Sequence, residues 1–215
     1  MNAKSIGRPK ADPERDLRSD LLVTSRALLD EGGPAALSMR EVTRRAGCTH
    51  QAPYHYFEDR ESILATLVAD GFDELTQRLR AANELAKSEG VRAALVASSA
   101  AYVDFALSRA GVFRIMFRPD VCNPSRFPAV QQAGARARAE LERLTEIVHG
   151  KKATPTLATI LWAHVHGLAC LLVDGPLASH FPSEQLRAQH LREVGQQFAD
   201  LMGRTSPSRH HARTL

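Results

Sequence analysis

The side chains of Arg40, Thr49, His50, Gln51, Tyr54 and His55 are donors and acceptors of the kind that hold phosphate oxygens and read base edges. They lie close together in "SMREVTRRAGCTHQAPYHYF", Ser38 to Phe57, where Arg40, Arg44 and Arg45 face Glu41 alone. Residues 1–10 add Lys4, Arg8 and Lys10 with no acid. The chain as a whole carries a net charge of +4, so its basic character is local and points to a polyanionic partner at one end.

Other chemistries find less support. His164 and His166 are two residues apart, so on a helix they face different ways and cannot share a metal as i, i+4 ligands do. Cys122 has no neighbouring base that would make it a nucleophile. Cys48, Cys122 and Cys170 are too far apart for a metal or disulfide framework and suit a reducing compartment. No enzyme activity, metal or cofactor is expected. The N-terminus has no apolar run after its charges, and Leu157–Val173 contains histidines and is short for a span. The sequence therefore reads as cytoplasmic, without a membrane partner.

The elements that position these residues are helices. Leu17, Leu21, Leu28 and Leu29 recur at helical spacing, and Gly32-Gly33-Pro34 stops that helix. Ser38 with Glu41 reads as a capping box for a helix from Met39 to Ala46, closed by Gly47. Thr49 is placed to cap a second short helix, in which Pro53 would be the fourth residue. Asp59 starts a long helix to about Lys87, and Val91, Leu95, Ser98, Tyr102 and Phe105 mark the face of another. "GVFRIMF" is a short apolar helix, and longer ones follow near residues 129–149, 156–174 and 183–202. The fold class is all-α, with about nine helices.

Two short capped helices around Gly47 make a helix-turn-helix, whose second helix can enter a major groove. Val42, Ala46 and Phe57 would pack inward, and Tyr56 suits either face. Helical hairpins also serve as plain core elements, so a protein-binding module without a nucleic-acid role is the alternative.

The segment "LLVTSRALLDEGGPAALSMREVTRRAGCTHQAPYHYFEDRESIL" resembles the DNA-binding domain of TetR/AcrR-type transcriptional regulators. Farther on, "YVDFALSRAGVFRIMF" and "LWAHVHGLA" resemble the subgroup with a Trp-His-Gly motif, here Trp162, His166 and Gly167. Thr43, Cys48 and Arg60 depart from the family's usual Ala, Val and Lys. The resemblance implies a ligand-responsive regulator, a repressor by family habit, that binds a palindromic double-stranded DNA operator as a homodimer. It implies that Tyr54 bonds a phosphate and sets the register, that His55 and Arg60 grip the backbone, and that Ser38 and Thr49 cap and touch phosphate. His50, Gln51 and Arg40 are the base-reading candidates.

"GRPK", Gly7 to Lys10, resembles the minor-groove core of an AT-hook, with Arg8 in the groove, although a solubilising tail fits the same residues. The expected division is a basic flexible arm over 1–15, the helix-turn-helix over 16–60, a ligand-binding and dimerisation domain over 61–203 and a disordered tail over 204–215. Tyr102, Phe105, Phe113, Met116, Phe117, Trp162 and His166 are the expected walls of a pocket for a small apolar or amphipathic effector. The helix over 156–174 is apolar nearly all round. With the stripe of the last helix it supplies the expected dimer contacts, Leu161, Leu168, Leu172, Leu191, Val194, Phe198 and Leu201.

Overall fold

The computed structural model describes residues 16–204, and the expectations on Arg8, the "GRPK" arm and the tail from 205 onward lie outside them. Asp16 opens α1, Leu17–Ala36, by accepting from the Ser19 N–H. Leu21, Leu28 and Leu29 turn inward, and Gly33, at φ 65°, breaks the ladder in a conformation that side chains resist. Pro34 then begins one last turn, so the regular helix stops where Gly32-Gly33-Pro34 predicts.

Ser38 caps α2, Met39–Ala46, by accepting from the Glu41 N–H, and Gly47 closes it at φ 63°. The capping box is only half made, because the Glu41 carboxylate turns to Arg44 and Arg45 instead.

The second short helix corrects the sequence reading. It is a 3-10 turn, Ala52–His55, and Thr49 caps nothing. An α-helical start would need the residue-53 N–H on the Thr49 carbonyl, which proline lacks. The Thr49 carbonyl accepts from Ala52 instead, Gln51 from Tyr54, and Pro53 from both Tyr56 and Phe57. Pro53 is buried in the first turn, where it replaces an α start by a tighter one.

The remaining helices are α3, Arg60–Ser88; α4, Val91–Ser108; α5, Ala110–Met116; α6, Pro128–His149; α7, Pro155–Val173; and α8, Glu184–Arg204. Among the described residues there are eight α-helices, three short 3-10 turns and no strand, and the expected ninth helix is the Ala52–His55 turn. Asp59 and Ser62 cap α3 reciprocally. Its first turns bury Ile63, Leu64, Leu67 and Val68 in a core shared with α1 and α2, and its later turns run along α4 and α6. Asp73 meets Arg136, Arg80 meets Glu140 and Glu84 meets Arg143, so α3 and α6 lie parallel. The α4 helix packs on both α7 and α8. By length and composition α4 and α7 are apolar enough to cross a membrane, and in this fold both pack against other helices.

Candidate nucleic-acid interface and ligand cavity

The turn that replaces the second helix presents its polar side chains outward. Phe57 and Pro53 are buried beneath it with Val42 and Ala46, whereas Thr49, His50, Gln51, Tyr54 and His55 are exposed. Tyr56, which the sequence allows on either face, is 48% exposed beside Tyr54 at 45%, so it does not pack inward with Phe57. The His50 and Tyr54 rings lie 5.9 Å apart, and Ser38 and Arg40 are exposed at the start of α2. These side chains share one end of the small bundle. They form a surface of phenols, imidazoles, an amide and a guanidinium that can give and accept hydrogen bonds toward phosphate and base edges.

Its charge is more selective than composition implies. Glu41 binds Arg44 and Arg45, and Arg45 also reaches Glu31, so those two guanidinium groups have carboxylate partners. The hydrogen bonds from Arg44 and Arg45 hold the Glu41 carboxyl down at about 2. Arg40 makes no ion pair among the described residues. Sequence reasoning overlooks Arg18, whose guanidinium lies 5.8 Å over the Phe57 ring. Residue spacing gives no signal for it, because α1 meets the turn only through the tertiary fold.

Arg60 stands apart from the other DNA-facing candidates. Its guanidinium donates to the Leu37 carbonyl at 2.7 Å and to that of Pro34, tying α3 to the kinked end of α1. The amino end of α3 is likewise occupied, because the Asp59 carboxylate accepts from the Ser62 N–H at 2.8 Å. An intramolecular anion already sits where the helix dipole would favour a phosphate.

A cavity of about 240 Å³ opens between α3, α4, α6 and α7. Of the expected walls, Tyr102, Phe117 and Trp162 line it. Phe105, Phe113, Met116 and His166 do not: Phe105 is wholly buried in the core, and the other three pack behind the wall. His166 Nδ1 lies 2.8 Å from the Tyr102 hydroxyl, and its ring meets Phe117 at 4.8 Å. Burial lowers the His166 pKa below the ordinary histidine value and raises that of the Tyr102 phenol. His166 therefore fixes the wall from behind. The sequence reading misses Phe72, Leu75, Leu79 and Asn83, one face of α3, which helical spacing alone could have grouped.

It also misses a polar group at one end of the cavity. The buried Asn83 amide donates to the Glu140 carbonyl and carboxylate and accepts from Ser98 Oγ, while Glu140 pairs with Arg80 at 2.7 Å. A carboxylate at 6% exposure persists here because donors surround it.

The expected dimer contacts need correction. Leu161 and Leu172 are buried in the protomer, and Leu161 and Phe198 line the cavity. Leu168 and Leu191 pack on the main core, and Val194 is half-buried, whereas Leu201 is 60% exposed. An all-round apolar helix does not reveal in sequence which side the protomer uses. Leu161, Leu168 and Leu172 take the inner side of α7, and its outer side presents Ile160, Ala163, Gly167, Cys170 and Leu171. His164 stacks on Phe198 at 3.7 Å, joining α7 to α8 beside this face.

Comparison with known proteins agrees with this two-part plan. Residues 21–67 match the family described as bacterial regulatory proteins, tetR family, and residues 95–194 match a tetracyclin repressor-like, C-terminal domain. No curated protein matches the sequence. Among solved structures, a protein of unknown function from Rhodococcus sp. RHA1 is similar at 28% identity and a TM-score of 0.74, covering 94% of this chain and 100% of that one. A tetR-family regulatory protein from Rhodococcus RHA1 shares the fold at 14% identity and a TM-score of 0.67, with 88% and 96% of the two chains covered. The TetR family transcriptional regulator PfmR from Thermus thermophilus shares it at 18% and 0.64, covering 86% and 97%.

Proposed function

Because the chain belongs to the TetR family of bacterial regulatory proteins, a family of DNA-binding transcriptional regulators, we propose that it is a homodimeric repressor released from a palindromic operator by a small effector. Tyr54 and His55 hold phosphates in this reading, Gln51, His50 and Arg40 meet base edges, and Ser38, Thr49 and Tyr56 flank them. Arg60 positions the turn. Arg8, outside the described residues, would reach the minor groove beside it.

The observation that carries the effector part is the reach of α5. Phe117, which caps this helix, lines the cavity, and Gly111 in its first turn is hydrogen-bonded to α1. A molecule that moves Phe117 thereby bears on the helix behind the DNA-facing turn. The outer face of α7 supports self-association: Ile160 and Leu171 are 46% and 42% exposed on a helix of high mean hydropathy, and α8 borders it with Leu201. Two copies joined there would carry two reading turns, as a palindrome requires. Membership of the Trp-His-Gly subgroup rests on Trp162, His166 and Gly167.

Binding of the full chain to duplex from beside its own gene, followed with and without apolar compounds, tests this reading. A specific complex weakened by one compound supports it. A complex that every bound compound leaves unchanged or tightens refutes release.

A further inference from the structure

Arg138 on α6 is exposed at the rim of the cavity, 6.0 Å above the Trp162 ring, and makes no ion pair among the described residues. Its helix neighbours differ: Arg136 is paired with Asp73, and Arg143 with Glu84 and Glu140. The other charged group of the lining is Glu140, whose carboxylate already receives Arg80, Asn83 and Arg143. An ammonium group entering the cavity would therefore meet an acceptor already surrounded by donors, while an anion would meet a guanidinium without one. Phe72, Leu75 and Leu79 extend the apolar wall along α3 toward Asn83, and the eleven helical steps from Phe72 to Asn83 span about 16 Å.

We propose that the cavity takes an elongated apolar monocarboxylic acid, its body along Phe72, Leu75 and Leu79 and its carboxylate on Arg138 beside Trp162. This rests on the reading of the cavity as the effector site and names the class of effector. A guanidinium matches a carboxylate in a two-bond fork, and the aromatic face beneath it holds the fork in place. One unpaired guanidinium balances one negative charge, and no second cation lines the cavity among the described residues to take another.

Trp162 is the chain's one tryptophan, so its fluorescence reports on the site directly. Decanoate, 1-decanol and decylamine share a chain and differ in head group. They are titrated at neutral pH into the full chain, into Arg138→Gln and into Arg136→Gln as a control. The expected result is decanoate binding about tenfold or more tighter than the alcohol and the amine. Arg138→Gln should abolish that preference while leaving decanol affinity unchanged, and Arg136→Gln should retain the preference. Equal binding of all three compounds, tighter binding of the amine, or a decanoate preference that survives Arg138→Gln overturns the acid inference alone. Absence of any response to all three overturns the effector-site reading with it.

Discussion

The backbone N–H of Gly111 on α5 donates to the carboxylate of Asp30 on α1 at 2.8 Å. This bond links the helix that supports the DNA-facing turn to a seven-residue helix whose other end is capped by Phe117 in the cavity wall. Arg126 on the following 3-10 turn adds a second tie, pairing with Glu61 in the first turn of α3. A shift of the aromatic wall has a short, packed route to the turn through these contacts. The coupling of a ligand to an operator is typically about 1–3 kcal/mol, and a few such contacts suffice to carry it.

Gly111→Ala tests the junction. A Cβ there would lie 2.6 Å from the Leu29 carbonyl carbon and from Asp30 Oδ1, and 2.7 Å from the Asp30 nitrogen, so backbone has to move. Thermal denaturation should show a loss of about 1–3 kcal/mol. A substitution that leaves stability unchanged would mean that α5 and α1 separate freely.

Arg60→Gln separates positioning from phosphate contact. Loss of the bonds to the Pro34 and Leu37 carbonyls should destabilise the domain by about 1–3 kcal/mol. The slope of operator affinity against salt should stay the same, because no phosphate contact is removed. A slope lowered by about one unit, with unaltered melting, would place Arg60 on the DNA instead.

Stability should fall as the solution is acidified below about pH 6.5, the ordinary histidine value. Burial depresses His166 and His164 in the folded chain, so the unfolded state takes up their protons first as pH falls. Their contribution is fully present above the unfolded value and is lost as pH drops through the folded one. His166 faces Tyr102, Phe113, Phe117 and Trp162, and the raised Tyr102 phenol stays protonated throughout. Melting curves across pH 5 to 8 should therefore flatten in His166→Gln relative to the parent chain; an unchanged pH profile would rule out this contribution.

The α7 face distinguishes assembly from core. Gly167 is exposed, and a Cβ there meets nothing within 4 Å, so Gly167→Arg should preserve the protomer's melting behaviour and convert dimer to monomer in sedimentation. Leu172→Ala, at a buried position, should cost about 2–5 kcal/mol of stability instead. A dimer that survives Gly167→Arg would move the interface off this face.

The helices are legible in the sequence because their caps are local. Ser38, Gly47, Gly33 and Asp59 act within a turn of their own position, and the structure places each at the expected boundary. Pro53 misleads because its effect depends on which carbonyl loses a partner, and a shift from Thr49 to Gln51 as the cap changes an α-helix into a 3-10 turn. The two sides of α7 are hidden for a different reason. Leu161 and Ala169 are buried while Leu171 and Ala163 are exposed, so hydropathy does not separate the core face from the outer one. The cavity lies between these extremes. Aromatic residues on α4, α5 and α7 point to its neighbourhood, but the Asn83–Glu140–Arg80 group joins helices far apart in sequence, and no spacing rule connects them.

Footprinting the full chain on duplex from beside its own gene tests the central claim most directly, with Tyr54→Phe and Gln51→Ala as comparisons. Two protected half-sites centred about 34–36 Å apart are expected. Tyr54→Phe should weaken both half-sites whatever their sequence, and Gln51→Ala should relax one base position by roughly 1–3 kcal/mol. Protection that is absent, confined to a single half-site, or equally altered by both substitutions would contradict it.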